Sequence, residues 1–436
     1  MMSRYGHSRE VTSLVLSLYV IGCRLHDLIP LYIHCAYYLI DGFGPLLFSP
    51  LSEMPHIGRN PPYILGFLGY VVLSIVLGRV DNFPGIAILR FLQGFLGSPC
   101  LATAGASIKD IYGPKTAPYG LVIWVACIYC GPALGPLFAS HAVDIDWRWP
   151  WWQIVCMSAP SLVVLICLLP ETLPDTILIH QAQRLRRENK GLNIVTATEI
   201  GGGYSWNMIW DSLIKPVEIS LKDPAIAFTT VYTSFIYGIY YSFFEAFPIV
   251  YQEKYQMSPT SFGLIFLSIV AGCAIGAVLY VMYIYWRGKH RSAAGLGPTG
   301  QENDLLPALP AVILTPAGLF LFGWTARASI HWIVPTIGIV IYSGATFVIY
   351  QGLLTYVPQS YPLYAASLFA GNDFMRSCTA AVFVMVVPYM YNNLGVPKGV
   401  SILGSVSVLG VVGMVILCMY GAKMRARSRF AVQSSD

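Results

Sequence analysis

Residues 332–356 read WIVPTIGIVIYSGATFVIYQGLLTY, an unbroken stretch without one charged side chain. A helix needs roughly 20 apolar residues to cross about 30 Å of hydrocarbon, and this stretch is longer than that. It does not alternate with period two, and it far exceeds the about 10 residues of a barrel strand. A helix satisfies its own peptide groups where lipid offers no partner, so the stretch reads as a membrane-spanning helix.

Working outward, further apolar runs bounded by charge, Gly or Pro lie at 62–79, 84–107, 117–141, 150–170, 225–251, 262–286, 307–326, 363–390 and 399–421. The chain is 56% hydrophobic and 11% charged, with a mean hydropathy of +0.62. A soluble domain carries about 25% charged residues, so the natural solvent of this chain is lipid. The expected fold is all-α: a polytopic membrane protein. The net charge of +5 is too small to suggest nucleic acid as a partner. The ten cysteines are scattered through apolar stretches and read as small packing residues. Cys127 and Cys130 form a C-x-x-C inside a span, with no second ligand pair to make a metal site.

Positive charge orients the chain. One side collects Arg59, Lys109, Lys115, Arg184, Arg186, Arg187, Lys190, Lys215, Lys222, Arg287, Lys289, Arg291, Lys423, Arg425, Arg427 and Arg429. The other receives only Arg79, Arg148, Lys254, Arg327 and Lys398. The positive-inside bias puts the first group, and the C-terminus, in the cytoplasm. The segment 173–224, with its RLRRENKG, is the one long polar stretch and divides the spans. The expected organisation is a helical bundle over 1–172, a cytoplasmic linker over 173–224, a six-helix bundle over 225–421 and a cytoplasmic tail over 422–436.

Gly44-Pro45-Leu46-Leu47-Phe48-Ser49-Pro50-Leu51-Ser52-Glu53 runs into Ile57-Gly58-Arg59-Asn60-Pro61-Pro62-Tyr63. Glu53 can pair with a cation or a helix N-terminus, and Arg59 can hold helix ends or lipid phosphate, or the two are only a turn with a stop-transfer charge. This pattern resembles the fungal drug:proton antiporters with twelve spans, a branch of the major facilitator superfamily associated with fluconazole, benomyl and caffeine resistance. Cys130-Gly131-Pro132-Ala133-Leu134-Gly135-Pro136 is similar to that superfamily's antiporter motif. Its Gly and Pro permit close packing and a kink, and the resemblance implies export. Arg90, with Gln93 and Gly94 after it and Asp110 at the far end of the same span, resembles a second superfamily motif. An intramembrane Arg faces a cavity or partner, or else snorkels to the interface.

The resemblance continues through Trp147-Arg148-Trp149, Leu169-Pro170-Glu171-Thr172, Tyr241-Ser242-Phe243-Phe244-Glu245, Ser329-Ile330-His331-Trp332 and Tyr361-Pro362-Leu363-Tyr364. Tyr237, Tyr241 and Glu245 are candidates for substrate or proton contact: the aromatics suit flat organic ligands, and an acid within a span is a functional hypothesis by default. Asn372, Asp373 and Arg376 sit one turn apart, as a binding group or a self-contained pair. Gln359 stands where relatives tend to carry an acid, which puts gate pairing in the second half in question.

The resemblance also implies a first span that is missing here, leaving about 11 spans, and residues 23–41, CRLHDLIPLYIHCAYYLID, read as an insert in the second helix. The hypothesis that accounts for both is a retained intron with a late start codon. The expected function is proton-coupled efflux of small organic molecules from the plasma membrane by a monomer, with no cofactor beyond the proton gradient. A truncated inactive relative and an uptake permease are the alternatives. A membrane enzyme would need clustered His, Asp or Cys ligands, and the eight histidines are dispersed.

Overall fold

The computed structural model describes residues 44–113, 116–143, 148–189, 194–200, 214, 217–294, 301–361 and 365–428. The insert at 23–41 and everything before residue 44, together with Lys115, Lys190, Lys215 and Arg429, lie outside the described residues. The helices are α1 (44–53), α2 (Asn60–Leu77), α3 (Phe83–Ala102), α4 (Ala104–Ile111), α5 (Ala117–Val143), α6 (Trp149–Leu168), α7 (Pro174–Glu188), α8 (Pro224–Phe247), α9 (Pro259–Ile265), α10 (Leu267–Ala294), α11 (Ala308–Thr325), α12 (Ile333–Ser360) and α13 (Ala365–Arg427).

Local chemistry sets where these helices begin. Asn82 accepts from Gly85 N, Asp223 from Ala225 N and Ile226 N, and Ser258 from Ser261 N. A proline follows each cap within two residues, where its missing N–H removes nothing from the helix. The span expected at 84–107 breaks at Thr103, four residues after Pro99, and resumes as α4. The spans expected at 363–390 and 399–421 fall on α13, whose backbone leaves helical geometry at Gly395 (φ 77°, ψ 157°). Glycine tolerates that positive φ, and Pro397 cannot donate to the turn before it.

Among the described residues, eight helices are long and apolar enough to cross a membrane. Leu65, Ile123 and Leu409 point outward, as lipid-facing side chains do. The chain forms two compact units. The first holds Met1–Ala117, Trp151–Glu218 and Tyr364–Ser377, the second Pro118–Pro150, Ile219–Leu363 and Cys378–Asp436.

In the second unit α12 packs against α10 and α11 through glycine. A Cβ on Gly276 would lie 2.6 Å from the carbonyl oxygen of Gly344, and one on Gly318 would lie 2.8 Å from that of Gly338. Lipid tails are as apolar as leucine, so close backbone approach and dispersion hold such helices together. In the first unit Leu77, Ile86 and Trp151 form a buried cluster flanked by Val80, Leu89 and Ile154.

Gly276 and Gly288 share α10, but a Cβ at Gly288 meets nothing among the described residues within 4 Å. Both substitutions to alanine gain the same helix propensity, about 0.5–1 kcal/mol. Thermal unfolding in detergent should therefore rise slightly for Gly288→Ala and fall for Gly276→Ala, by overpacking of about 1–3 kcal/mol. A rise for both would mean that α10 and α12 are not in backbone contact.

Candidate functional site

In the first unit one buried guanidinium organises the corner between α1 and α2. Arg59 is 5% exposed, and its Nε donates to Asp110 Oδ2 at 2.5 Å from the end of α4. Its Nη1 donates to Ser52 Oγ at 3.4 Å, and Ser52 Oγ donates to the carbonyl of Ser49 at 2.8 Å. The chain reaches Arg59 through Gly58, whose φ of 76° favours glycine and whose missing side chain makes room for the Glu171 carboxylate.

Glu171, just beyond α6, accepts four backbone N–H bonds: Arg59 at 3.0 Å, Asn60 at 3.2 Å, Thr172 at 2.9 Å and Leu173 at 2.9 Å. Burial pushes its carboxyl up, but these donors outweigh that and hold it below the usual range. Thr176 Oγ1 also donates to the carbonyl of Pro55 at 2.9 Å, pinning the same turn to α7. Glu53 stands apart from this pairing. Burial pushes its carboxyl up to about 7, with Arg59 pulling against the shift and Asp110 adding to it.

Arg90 is buried in α3, with its guanidinium 4.1 Å from the ring centre of Trp151. Its Nη1 donates to Gln93 Oε1 at 2.9 Å, Gln93 Nε2 to Ser74 Oγ at 2.5 Å, and Ser74 Oγ to the carbonyl of Tyr70 at 2.7 Å. The arginine is thus served inside the protein by an aromatic face and a polar relay. Sequence reasoning offered a partner or the interface; it did not point to Trp151.

Pro132 and Pro136 lie inside α5 and remove the backbone bonds that their N–H groups would have made to one turn earlier. A Cβ on Gly131 or Gly135 meets nothing among the described residues within 4 Å, so in this conformation that face of α5 has room beside it. Cys127 is exposed, whereas the thiol of Cys130 is hydrogen-bonded with that of Cys273 on α10. Among the described residues no three His, Cys, Asp or Glu side chains gather as a metal ion would require.

Tyr237, Tyr241 and Glu245 repeat every four residues and share a face of α8. The phenols of Tyr237 and Tyr241 lie 3.0 Å apart, and Glu245 is half-buried, within electrostatic reach of Tyr391. Around them Tyr240 donates to the carbonyl of Tyr129 at 2.8 Å, Tyr342 to that of Ile236 at 3.0 Å, and Tyr391 to Ser242 Oγ at 3.3 Å. On α13, Arg376 pairs with Asp373, and Asn372 is half-buried beside them.

Ion pairs that sequence reasoning did not anticipate close the ends of α10 to α13 in the second unit. Arg287 pairs with Asp304, and Arg425 donates through Nε and Nη2 to Glu302 Oε1 at 2.9 and 2.5 Å. Tyr361 donates to Asp223. Gln301 Nε2 donates to the carbonyl of Gln359 at 2.8 Å, and Ser360 Oγ donates to Gln301 Oε1 at 2.7 Å. The available signal was the acidic Q-E-N-D at 301–304 between two spans otherwise flanked by basic residues.

Two measurements check the corner. Glu171→Gln removes the charge from a four-fold acceptor, so the amides of Arg59, Asn60, Thr172 and Leu173 should exchange faster, by an opening free energy lowered about 1.5–3 kcal/mol. Unchanged protection would mean that the carboxylate does not hold the turn. The pH dependences of the two acids oppose each other. Glu171, depressed, stabilises above its ordinary 4.5 and loses that contribution as pH falls through its native value. Glu53, raised to about 7, costs stability progressively as pH rises from 4.5 toward 7. Glu53→Gln should match the parent in thermal midpoint near about pH 5 and exceed it near about pH 8. An equal gap at both pH values would rule out the buried acid.

Residues 1–384 match the Major Facilitator Superfamily. The chain is 40% identical over 430 residues to the MFS-type transporter pyvG of Aspergillus violaceofuscus, covering 98% of this chain and 76% of that protein. It is 33% identical over 437 residues to Fluconazole resistance protein 1 of Saccharomyces cerevisiae, covering 98% and 75%. The fold is similar to that of the xylose transporter XylE from E. coli, with a TM-score of 0.60 at 16% identity over 93% of this chain and 92% of that one. The chain is therefore a member of the Major Facilitator Superfamily, a family of multi-pass membrane transporters rather than enzymes, alongside fungal drug-resistance relatives.

Proposed function

We propose that the protein is a proton-coupled exporter of small, flat organic molecules, working by alternating access as a plasma-membrane monomer. The observation that carries this reading is the face of α8 on which Tyr237 and Tyr241 lead to the half-buried carboxylate of Glu245. Aromatic rings take up planar amphipathic ligands without demanding one shape, and a sequestered carboxylate can exchange a proton against them. The likeness to fluconazole resistance and efflux proteins supports export over uptake.

The two halves, 1–172 and 225–421, rock about that site, joined by the cytoplasmic linker 173–224, with the tail 422–436 on the same side. Glu53 and Arg59 belong to the cytoplasmic gate. Gly131, Pro132, Gly135 and Pro136 give α5 the room and the bend to move. Arg90 supports proton movement through its relay to Gln93, while Asn372, Asp373 and Arg376 contribute a polar patch on α13.

The test is accumulation of a fluorescent planar cation in yeast lacking their own efflux pumps. Cells expressing the protein should retain several-fold less dye, and a protonophore should abolish the difference. Glu245→Gln should restore retention while leaving membrane expression intact, and Tyr241→Phe should change the dye preference more than the overall rate. Efflux that survives both the protonophore and Glu245→Gln would sink the coupling proposed here.

A further inference from the structure

Ser428 is the first residue past α13, and its N–H donates to the carbonyl of Arg425 at 2.9 Å. Its hydroxyl is hydrogen-bonded with the phenol of Tyr361, which in turn donates to the buried carboxylate of Asp223. Three residues back, the side chain of Arg425 is committed to Glu302 in a largely enclosed pair, 11% and 15% exposed. One serine thus sits between a helix end, an acid–phenol pair and the arginine that closes the loop before α11.

The surrounding sequence is Lys423-Met424-Arg425-Ala426-Arg427-Ser428-Arg429. Arg425, three residues before the serine, offers the acidic pocket of a basophilic protein kinase a guanidinium to pair with, and Arg427 adds positive charge beside it. A tail that served only as a positive-inside anchor would need the charges but not a hydroxyl inserted at the helix end between them.

We propose that Ser428 is a phosphorylation site whose phosphate holds the Arg425–Glu302 pair open. A basophilic kinase would transfer the terminal phosphoryl of ATP to Ser428 Oγ. The new O–P bond replaces the bond to ADP, and the hydroxyl proton leaves to the kinase's base. The product adds a charge of about −1.5 to −2 at the negative end of the α13 dipole and beside Asp223. There it is repelled by its former neighbours, and Arg425, three residues back, and Arg427, the residue before it, are cations able to receive it. A phosphate is a stronger partner for Arg425 than the single carboxylate oxygen it now holds.

The order of events follows from the geometry. A kinase reads an extended segment, so the last turn of α13 must unwind and Arg425 must leave Glu302 before the serine can be reached. Phosphorylation then captures the open arrangement and holds it. The regulatory meaning rests on the cytoplasmic tail and transport cycle proposed above, whereas the modification chemistry does not.

The experiment uses the full-length protein in lipid nanodiscs with ATP and the catalytic subunit of cAMP-dependent protein kinase, followed by phosphopeptide mapping. Phosphate is expected on Ser428 and not in Ser428→Ala. The initial rate should fall about tenfold or more in Arg425→Ala, which loses one charge-assisted kinase contact. It should rise several-fold in Glu302→Gln, which frees Arg425 without altering the kinase's reading frame. Hydrogen exchange at 301–307 should increase in the phosphorylated parent, a readout that needs no variant. No phosphate on Ser428 in either the parent or Glu302→Gln overturns the proposal, as does unchanged exchange at 301–307 after phosphorylation. Neither readout depends on transport or on the side of the membrane the tail occupies, so failure of export in the dye assay would leave this result standing by itself.

Discussion

Across the hydrocarbon of a bilayer, no water is available to a peptide N–H, a hydroxyl or a guanidinium, and each must find its partner within the protein. That constraint orders what is seen here from the backbone upward. It selects helices, and it makes their first turns depend on caps such as Asp223, which serves Ala225 and Ile226 and takes the phenol of Tyr361 on its other oxygen. It also explains the hydroxyls of α12: Ser343, Thr346 and Thr355 return their protons to carbonyls one turn earlier rather than reaching outward. Arg90 is the extreme case. Its charge is tolerated because Trp151 covers one face and Gln93, Ser74 and the carbonyl of Tyr70 continue its hydrogen bonding.

Once polar groups are satisfied internally, what remains to hold helices together is shape. The glycine approaches between α12 and its two neighbours supply it, because carbonyl oxygens there lie where a methyl would otherwise be. The face of α5 at Gly131 and Gly135 differs in kind: among the described residues nothing lies within 4 Å of where a Cβ on either would stand. Two helices built from the same small residues are thus fixed in one case and left with space in the other.

Much of this was legible in the sequence. Uninterrupted apolar runs such as 332–356 fall on long helices, because the requirement for about 20 apolar residues admits few solutions. The exceptions include the turn at Phe266 between α9 and α10, and the break at Thr103 and the bend at Gly395, where Pro99 and Pro397 act through local backbone geometry rather than hydropathy. The motif around Glu53 and Arg59 falls at the corner between α1 and α2, but its partners there did not follow from spacing. Asp110 and Glu171 lie 51 and 112 residues from Arg59, and no local rule links positions so far apart. The same holds for Arg425 and Glu302, separated by 123 residues. The pair of Asp373 and Arg376 could be foreseen because three residues along a helix is itself a contact.

Gln359 shows why a motif departure is a weaker signal than a lost interaction. The missing acid put gate pairing in the second half in question; in the structure the carbonyl of Gln359 is held by Gln301, and its neighbour Ser360 donates to the same side chain. The charges lie next door, at Glu302 and Asp304, each facing an arginine from a different helix. What the helix ends require is a carboxylate within reach of a guanidinium, and a loop between two spans can supply it from either side of its turn. These pairs are partly enclosed, unlike Arg184 and Glu188, which are 82% and 54% exposed and so contribute little. Enclosure keeps from the terminal pairs the solvent that weakens an exposed one. Arg90, buried within the first unit, is held instead by an aromatic face and neutral hydrogen bonds.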